Sequence, residues 1–149
     1  MPISPEVPNS TDTAMTLRCQ FLASRWVETA YEQGPGSGKL SRAEIDNQLS
    51  GDLIGQGWLQ YLLCYPPVEG TAVAFTGFER LQGDTAYGPG SLVVQHEGVF
   101  DPARGVSGRL RMLSGSGTGV FAGFAGAGEI RAKAGEHGGE YRLVLEKRA

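Results

Sequence analysis

Glycine recurs along the whole chain rather than in one tract, and this distribution constrains the fold more than any other feature. The sequence holds 23 glycines among 149 residues, with no collagen-like period and no low-complexity linker. Glycine at this density suits a chain with many tight turns, bulges and bends. The distribution therefore favours an all-β protein.

Between the glycines, apolar and polar residues alternate with a period of two, as expected for half-buried strands. Segment 39–49 is ambiguous, because Ser41 and Glu44 resemble a helix capping box; we favour a strand, with a short helical turn as the alternative. Segment 121–128 is small and apolar, which suits a bend or a tightly packed corner. The strand segments number eight: 15–21, extended past a bulge by Trp26 and Val27, then 39–49, 56–65, 71–82, 91–100, 104–113, 128–132 and 140–147.

Eight short strands with regularly spaced turns and no long helix predict an antiparallel barrel or sandwich. We favour an eight-stranded antiparallel β-barrel, since closure removes exposed strand edges. A barrel of that size is filled by side chains or holds one small ligand. We expect one such domain over residues 14–149, preceded by a flexible polar leader over residues 1–13.

Charge and hydropathy exclude several classes of function. The formal net charge is −3, and no basic cluster offers the positive face that nucleic acid binding needs. No apolar run approaches the length of a membrane span, so we expect neither nucleic acid nor membrane as a partner. The leader lacks the basic start and apolar centre of a signal peptide, which predicts a cytoplasmic location.

No motif for a cofactor, a metal or a nucleophile is complete. With two histidines and no C-x-x-C pair, we expect no metal site and no cofactor. The GPGSGK stretch lacks the flanking residues of a phosphate-binding P-loop, and GSGTG is not a nucleophile elbow. Cys19 and Cys64 lie in apolar segments and are interpreted as reduced core thiols, with a disulfide left open.

The hairpin formed by segments 71–82 and 91–100 places ionisable residues on one face. If Gly83 lies opposite Gly90, the other cross-strand pairs are Glu79 with Val94, Gly77 with His96, and Leu81 with Leu92. This face is the more apolar, so we expect it to point inward, with Gln95 and Glu97 in water. The side chains of Glu79 and His96 then lie within reach of each other. A slip of one residue would reverse the prediction.

Two interpretations of this inward pair stay open. Glu79 and His96 either satisfy each other as buried polar groups, or they contact a ligand, because interior charge is costly without a use. A catalytic role as acid and base is a further alternative.

Three stretches resemble a bacterial family of uncharacterised small proteins: LSRAEIDNQLSGDLIGQGWLQYLL, GFERLQGDTAYGPGSLVVQHEG and GSGTGVFAGFAGAGEI. The resemblance covers roughly residues 15–147. That family is similar in fold to allene oxide cyclase, an eight-stranded antiparallel barrel related in shape to the calycins. The resemblance implies the barrel fold. Allene oxide cyclases bind an apolar fatty-acid epoxide, and none of their catalytic residues is carried over to this chain.

These observations predict a barrel that binds a small apolar or amphipathic molecule. The alternatives are an isomerase or cyclase with Glu79 and His96 as acid and base, and a structural or interaction protein with a filled core. Association of several copies through outer sheet faces also stays open. The predicted ligand contacts are Leu17, Cys19, Phe21, Leu81, Leu92 and Val94.

Overall fold

The computed structural model describes residues 14–34, 36 and 38–148; the predicted leader, residues 1–13, lies outside the described residues. The described chain consists of strands and turns and contains no helix. Accordingly, no helix in these ranges is long and apolar enough to cross a membrane. The strands are β1 (Ala14–Gln33), β2 (Lys39–Gly51), β3 (Ile54–Tyr65), β4 (Val73–Thr85), β5 (Gly88–Asp101), β6 (Gly105–Met112), β7 (Thr118–Gly119), β8 (Phe124–Ala132) and β9 (Gly138–Lys147).

The strands form one antiparallel sheet that closes into a ring. Its order is β4-β3-β2-β1-β9-β8-β6-β5, and β5 pairs with β4 to complete the circle. The two-residue strand β7 is added to β5. Closure gives every long strand a partner on each side, so the ring has an enclosed interior and a solvent-facing outer wall. The prediction of an all-β antiparallel protein is confirmed.

The first two strands settle two local expectations. Segment 39–49 is strand throughout, because its inward positions alternate along β2 and pair with β1 and β3. Strand β1 passes through an irregularity between Ala23 and Arg25 and continues over Trp26 and Val27. The predicted bulge and extension are therefore confirmed, and β1 runs on to Gln33.

Two turns are shorter than predicted. The ladder between β4 and β5 continues to the pair Thr85–Gly88, and the Thr85 hydroxyl donates to the Gly88 carbonyl at 2.8 Å. The connection is thus a tight turn rather than the loop 83–90. Similarly, residues from Phe124 onward belong to β8 and pair with β9. The predicted corner over 121–128 is therefore wrong in its second half, where small residues let the two strands run side by side.

One end of the interior is filled by a tightly packed apolar cluster, called here the packed cluster. Of the two cysteines, which are both free thiols, Cys19 belongs to it. Cys64 is exposed on the outer wall, which corrects its prediction as a core thiol. The packed cluster consists of Leu17, Cys19, Leu49, Leu53, Leu81, Leu92, Val94, Leu110, Met112, Phe121, Phe124, Ile130, Tyr141, Leu143 and Leu145.

The same substitution, leucine to alanine, distinguishes an inward position of the ring from an outward one. Leu92 is 0 % exposed and Leu62 is 49 % exposed. We expect Leu92→Ala to lower the free energy of unfolding by about 2–5 kcal/mol, because it leaves a cavity in packed hydrocarbon. Leu62→Ala should change it by less than about 0.5 kcal/mol. Urea titrations of both variants measure the difference, and equal losses would contradict this strand parity.

Candidate functional site

The central hairpin has the predicted register. Gly83 lies opposite Gly90, Glu79 opposite Val94, and Gly77 opposite His96. Both ionisable side chains are 0 % exposed, and the Nε2 atom of His96 lies 2.9 Å from Oε1 of Glu79. The predicted inward direction and mutual contact of Glu79 and His96 are confirmed.

Three further side chains complete a buried hydrogen-bond network around this pair. The Tyr141 hydroxyl donates to Oε1 of Glu79 at 2.7 Å, and Nδ2 of Asn47 donates to Oε2 at 2.8 Å. The Tyr61 hydroxyl lies 2.8 Å from Nδ1 of His96. These five residues, Asn47, Tyr61, Glu79, His96 and Tyr141, are called the polar layer. Such a set of donors is what a buried carboxylate requires, because its desolvation is otherwise costly.

The polar layer crosses the ring at one height, and the strands explain why. On β2, the inward positions run from Ala43 and Ile45 through Asn47 to Leu49. The residues before Asn47 belong to a second apolar cluster, and Leu49 belongs to the packed cluster. Strand β4 shows the same order of layers: Glu79 lies between Phe75 of the second apolar cluster and Leu81 of the packed cluster. Period-two alternation on neighbouring strands therefore stacks three layers: packed cluster, polar layer and second apolar cluster. Tyr141 belongs to the first two layers and Tyr61 to the last two, because each phenol joins the polar layer while its ring packs in an apolar cluster. The second apolar cluster consists of Ala43, Ile45, Leu59, Tyr61, Leu63, Val73 and Phe75.

Two glycines make room for the polar layer. A Cβ atom at Gly57 would lie 2.1 Å from Oε2 of Glu79, so the carboxylate occupies the space that a side chain would take. A Cβ atom at Gly77 would lie 1.9 Å from the backbone carbonyl oxygen of Gln60 and 3.0 Å from the Tyr61 ring. Gly77 pairs with Tyr61 on one side and His96 on the other. The missing side chain thus lets the Tyr61 ring lean across toward the imidazole.

Above the polar layer the interior opens into a cavity of about 610 Å³. Its wall is mainly apolar and includes Ile45, Leu59 and Phe75, while Asn47 and Tyr61 bring polar atoms to it. The exposed part of the lining includes Trp26, Arg25 and His137. Arg25 is paired there with Glu44 at 3.2 Å. A cavity of this size with few polar groups is typical of a small-molecule site.

The structure distributes the predicted site residues over different layers. Phe21 lines the cavity and stacks on Tyr141 with ring centroids 4.5 Å apart. Glu79 and His96 lie in the polar layer and reach the cavity only through Asn47 and Tyr61. The other predicted ligand contacts lie in the packed cluster and do not line the cavity: Leu17, Cys19, Leu81, Leu92 and Val94. Of these, Leu17 also borders a second surface depression.

Sequence reasoning missed Asn47 and Tyr61, which connect the buried pair to the cavity. The signal for Asn47 was present, since it is the one polar side chain between Ile45 and Leu49 on the inward face of β2. Tyr61 lies in a long apolar strand, where an aromatic residue is ordinarily part of the core. Alternation along β9 turns Tyr141 inward, but its hydrogen bond to Glu79 depends on contact between strands far apart in sequence.

Burial and the Glu79 charge act together on the neighbouring acidic protons. Burial first, and the Glu79 charge second, raises the pKa of the Tyr61 phenol well above its ordinary value. The same two causes raise the pKa of Tyr141 and bring the pKa of the Cys19 thiol to about 12. The phenols and the thiol therefore stay protonated at neutral pH and serve as hydrogen-bond donors.

The chemistry that this arrangement offers is hydrogen bonding and proton exchange. Within the described ranges, no group of three or more His, Cys, Asp or Glu residues is placed to hold a metal ion. The continuous path from Tyr61 through His96 to Glu79 is a chain of hydrogen bonds along which a proton can shift. Tyr61 is its end at the cavity wall.

Fold and site together define an all-β protein whose ring of antiparallel strands encloses a half-filled, half-open interior. The chain belongs to the DUF3224 family of proteins of unknown function, whose model matches residues 17–145. The bacterial family of uncharacterised proteins expected from the sequence is consistent with this membership.

A solved structure gives the same fold. It is the crystal structure of a protein with unknown function from the DUF3224 family of Shewanella oneidensis MR-1, at 1.84 Å resolution. It superposes with a TM-score of 0.70 at 22 % identity, covering 91 % of this chain and 99 % of that one. No curated protein matches the chain.

The raised phenol pKa values predict a loss of stability at alkaline pH. The unfolded chain releases phenol protons near pH 10, roughly, while Tyr61 and Tyr141 hold theirs in the fold. The free energy of unfolding should therefore fall as pH rises above that value, by about 1.4 kcal/mol per pH unit for each phenol. We expect Tyr61→Phe to reduce this slope in urea titrations at increasing pH.

Tyr87→Phe is the matched control, since Tyr87 lies in the exposed turn between β4 and β5. This variant should keep the slope of the parent chain. An unchanged slope in Tyr61→Phe would show that the Tyr61 phenol does not keep its proton in the folded state.

Proposed function

We propose that this protein binds a small, mainly apolar molecule in the cavity above the polar layer. The observation that carries the proposal is the division of the interior. One half is packed with hydrocarbon, and the other half leaves about 610 Å³ open. Protein interiors are ordinarily packed to the density of organic crystals. An open apolar space of this size therefore favours a binding role over that of a filled structural core.

The closed ring supports the further proposal that the fold is an eight-stranded β-barrel of the allene oxide cyclase type. Eight long strands pair in a circle, with β4 joined to β5, and barrels of eight strands have room for one small ligand. In this proposal the packed cluster closes one end of the barrel. The ligand then enters from the other end, where Trp26 and His137 line the cavity.

Binding can be tested with the neutral fluorescent dye phenylnaphthylamine, which brightens in apolar surroundings. We expect one dye molecule per chain, and we expect Val106→Trp to weaken binding by about tenfold or more, because the indole fills part of the cavity. Val106 lines the cavity, whereas its neighbour Ser107 is on the outer wall. Ser107→Trp is therefore the matched control and should bind as the parent does.

A parent chain that leaves the dye dark would contradict the proposal. Equal binding by the Val106→Trp and Ser107→Trp variants would place the dye elsewhere on the molecule. Circular dichroism of each variant checks that the sheet is intact.

A second function, isomerisation, is supported by the hydrogen-bond chain from Tyr61 to Glu79. In this proposal the Tyr61 oxygen takes a proton from a substrate C–H bond while its own proton moves to Nδ1 of His96. Tyr61 then gives the proton to a different substrate atom as His96 returns its own proton to the Tyr61 oxygen, so the reaction needs no co-reactant. Glu79 and His96 act through Tyr61, since the cavity lining includes Tyr61 and neither of the other two.

Deuterium exchange tests this second function. Benzoin, an apolar hydroxy ketone, exchanges the hydrogen on its carbinol carbon when a base removes it. In heavy water we expect the protein to accelerate this exchange, followed by proton NMR, and we expect Tyr61→Phe to remove the acceleration. Gln95→Ala, on the opposite face of β5, should retain it. Exchange at the rate of buffer alone would contradict the isomerase function without contradicting the binding function.

A further inference from the structure

Asn47 and Tyr61 form the end of the cavity next to the polar layer, called here the floor. The hydrogen-bond donors and acceptors of the floor indicate which class of ligand fits, and this inference rests on the proposed binding function. Asn47 is the residue that decides it. Its Nδ2 atom donates to Oε2 of Glu79 at 2.8 Å and to the Tyr141 hydroxyl oxygen at 3.3 Å. Both amide hydrogens are thereby used. The amide oxygen, an acceptor, is the remaining hydrogen-bonding atom of this side chain.

Asn47 belongs to the cavity wall, and its amide oxygen is not a fully buried atom left without a partner. Among the described residues, Ser41 Oγ is the one fully buried side-chain polar atom that lacks a partner. Asn47 contributes to the cavity wall and keeps 1 % of its surface exposed. With both amide hydrogens used inside the polar layer, the amide oxygen is the atom with which this wall residue can meet a ligand, and a ligand that cannot donate a hydrogen bond would leave it unsatisfied.

The Tyr61 phenol can form a hydrogen bond with a ligand hydroxyl in either protonation state of His96. When His96 is neutral and donates from Nε2 to Glu79, its Nδ1 accepts the Tyr61 hydrogen, and the phenol oxygen is left as an acceptor. When His96 carries both protons, the Tyr61 hydrogen is released toward other acceptors. A ligand hydroxyl both donates and accepts, so it satisfies Tyr61 in both states.

Charge disfavours an anion at the same place. The Glu79 carboxylate lies directly behind Asn47, and no Lys or Arg side chain is buried in the described part of the chain. Arg25, the cationic side chain of the lining, is exposed and paired with Glu44 and Asp46. A carboxylate on the floor would thus meet the Asn47 acceptor oxygen and the Glu79 charge without a Lys or Arg side chain to balance it.

We propose that the ligand carries a hydrogen-bond donor at its buried end, in the form of an alcohol or phenol hydroxyl on an apolar body. Neutral hydroxylated compounds are the preferred class. Their ethers bind more weakly because they only accept, and fatty or aromatic carboxylates are rejected at the floor.

A series of three matched compounds tests this class on the unmodified chain: para-butylphenol, para-butylanisole and para-butylbenzoate. In titration calorimetry we expect the phenol to bind about tenfold more tightly than the anisole, although the anisole is the more apolar. The benzoate should bind more weakly than either.

The Asn47→Ala variant connects the preference to the floor. We expect it to bring the phenol and the anisole to within about threefold of each other. Gln48→Ala, at the neighbouring exposed position of β2, should keep the full preference. Where Asn47→Ala fails to fold, the three compounds on the parent chain decide the question by themselves.

Equal affinity for phenol and anisole, or tightest binding of the benzoate, would overturn the hydroxyl class while leaving the binding function in place. Absence of binding by all three compounds and by phenylnaphthylamine would overturn the binding function, and the hydroxyl class with it.

Discussion

The fully buried carboxylate of Glu79 is the group on which the rest of the interior depends. A desolvated carboxylate is stable only with donors in place, and it receives them from three different strands: Asn47 on β2, His96 on β5 and Tyr141 on β9. These hydrogen bonds hold strands that are distant in sequence at one height in the ring. The polar layer therefore acts both as a structural cross-tie and as the floor of the cavity.

The polar layer also explains why the interior has two unlike halves. Below it, buried leucine, methionine and phenylalanine side chains form the packed cluster. Above it, the residues of the ring include the small side chains of Ala43 and Ala23, and the rings of Tyr61 and Phe75 pack on each other with centroids 4.6 Å apart. Hydrocarbon packing stabilises the half that holds the packed cluster, while the half that holds the cavity leaves space for a ligand. Stability and binding are thus assigned to different ends of one ring.

Much of the fold could be predicted from the sequence, because strand alternation is a local property. The register of the central hairpin followed from two glycines and the apolar face, and the inward direction of Glu79 and His96 followed with it. The extent of the turns was less predictable. Whether the ladder continues over Thr85 or begins at Phe124 depends on the strand that lies beside each residue. Five of the six predicted ligand contacts point inward as expected but lie on the filled side of the polar layer.

By itself, the sequence determined which side chains face inward, since a period of two gives each strand an apolar face that must be buried. It thereby determined that a carboxylate and an imidazole meet inside an all-β ring. Only the tertiary structure decided how high each side chain lies in that ring, because the height depends on the stagger between strands that are far apart in the chain. That stagger brings Asn47 and Tyr61 to the cavity wall and places Leu81 and Leu92 beneath the floor.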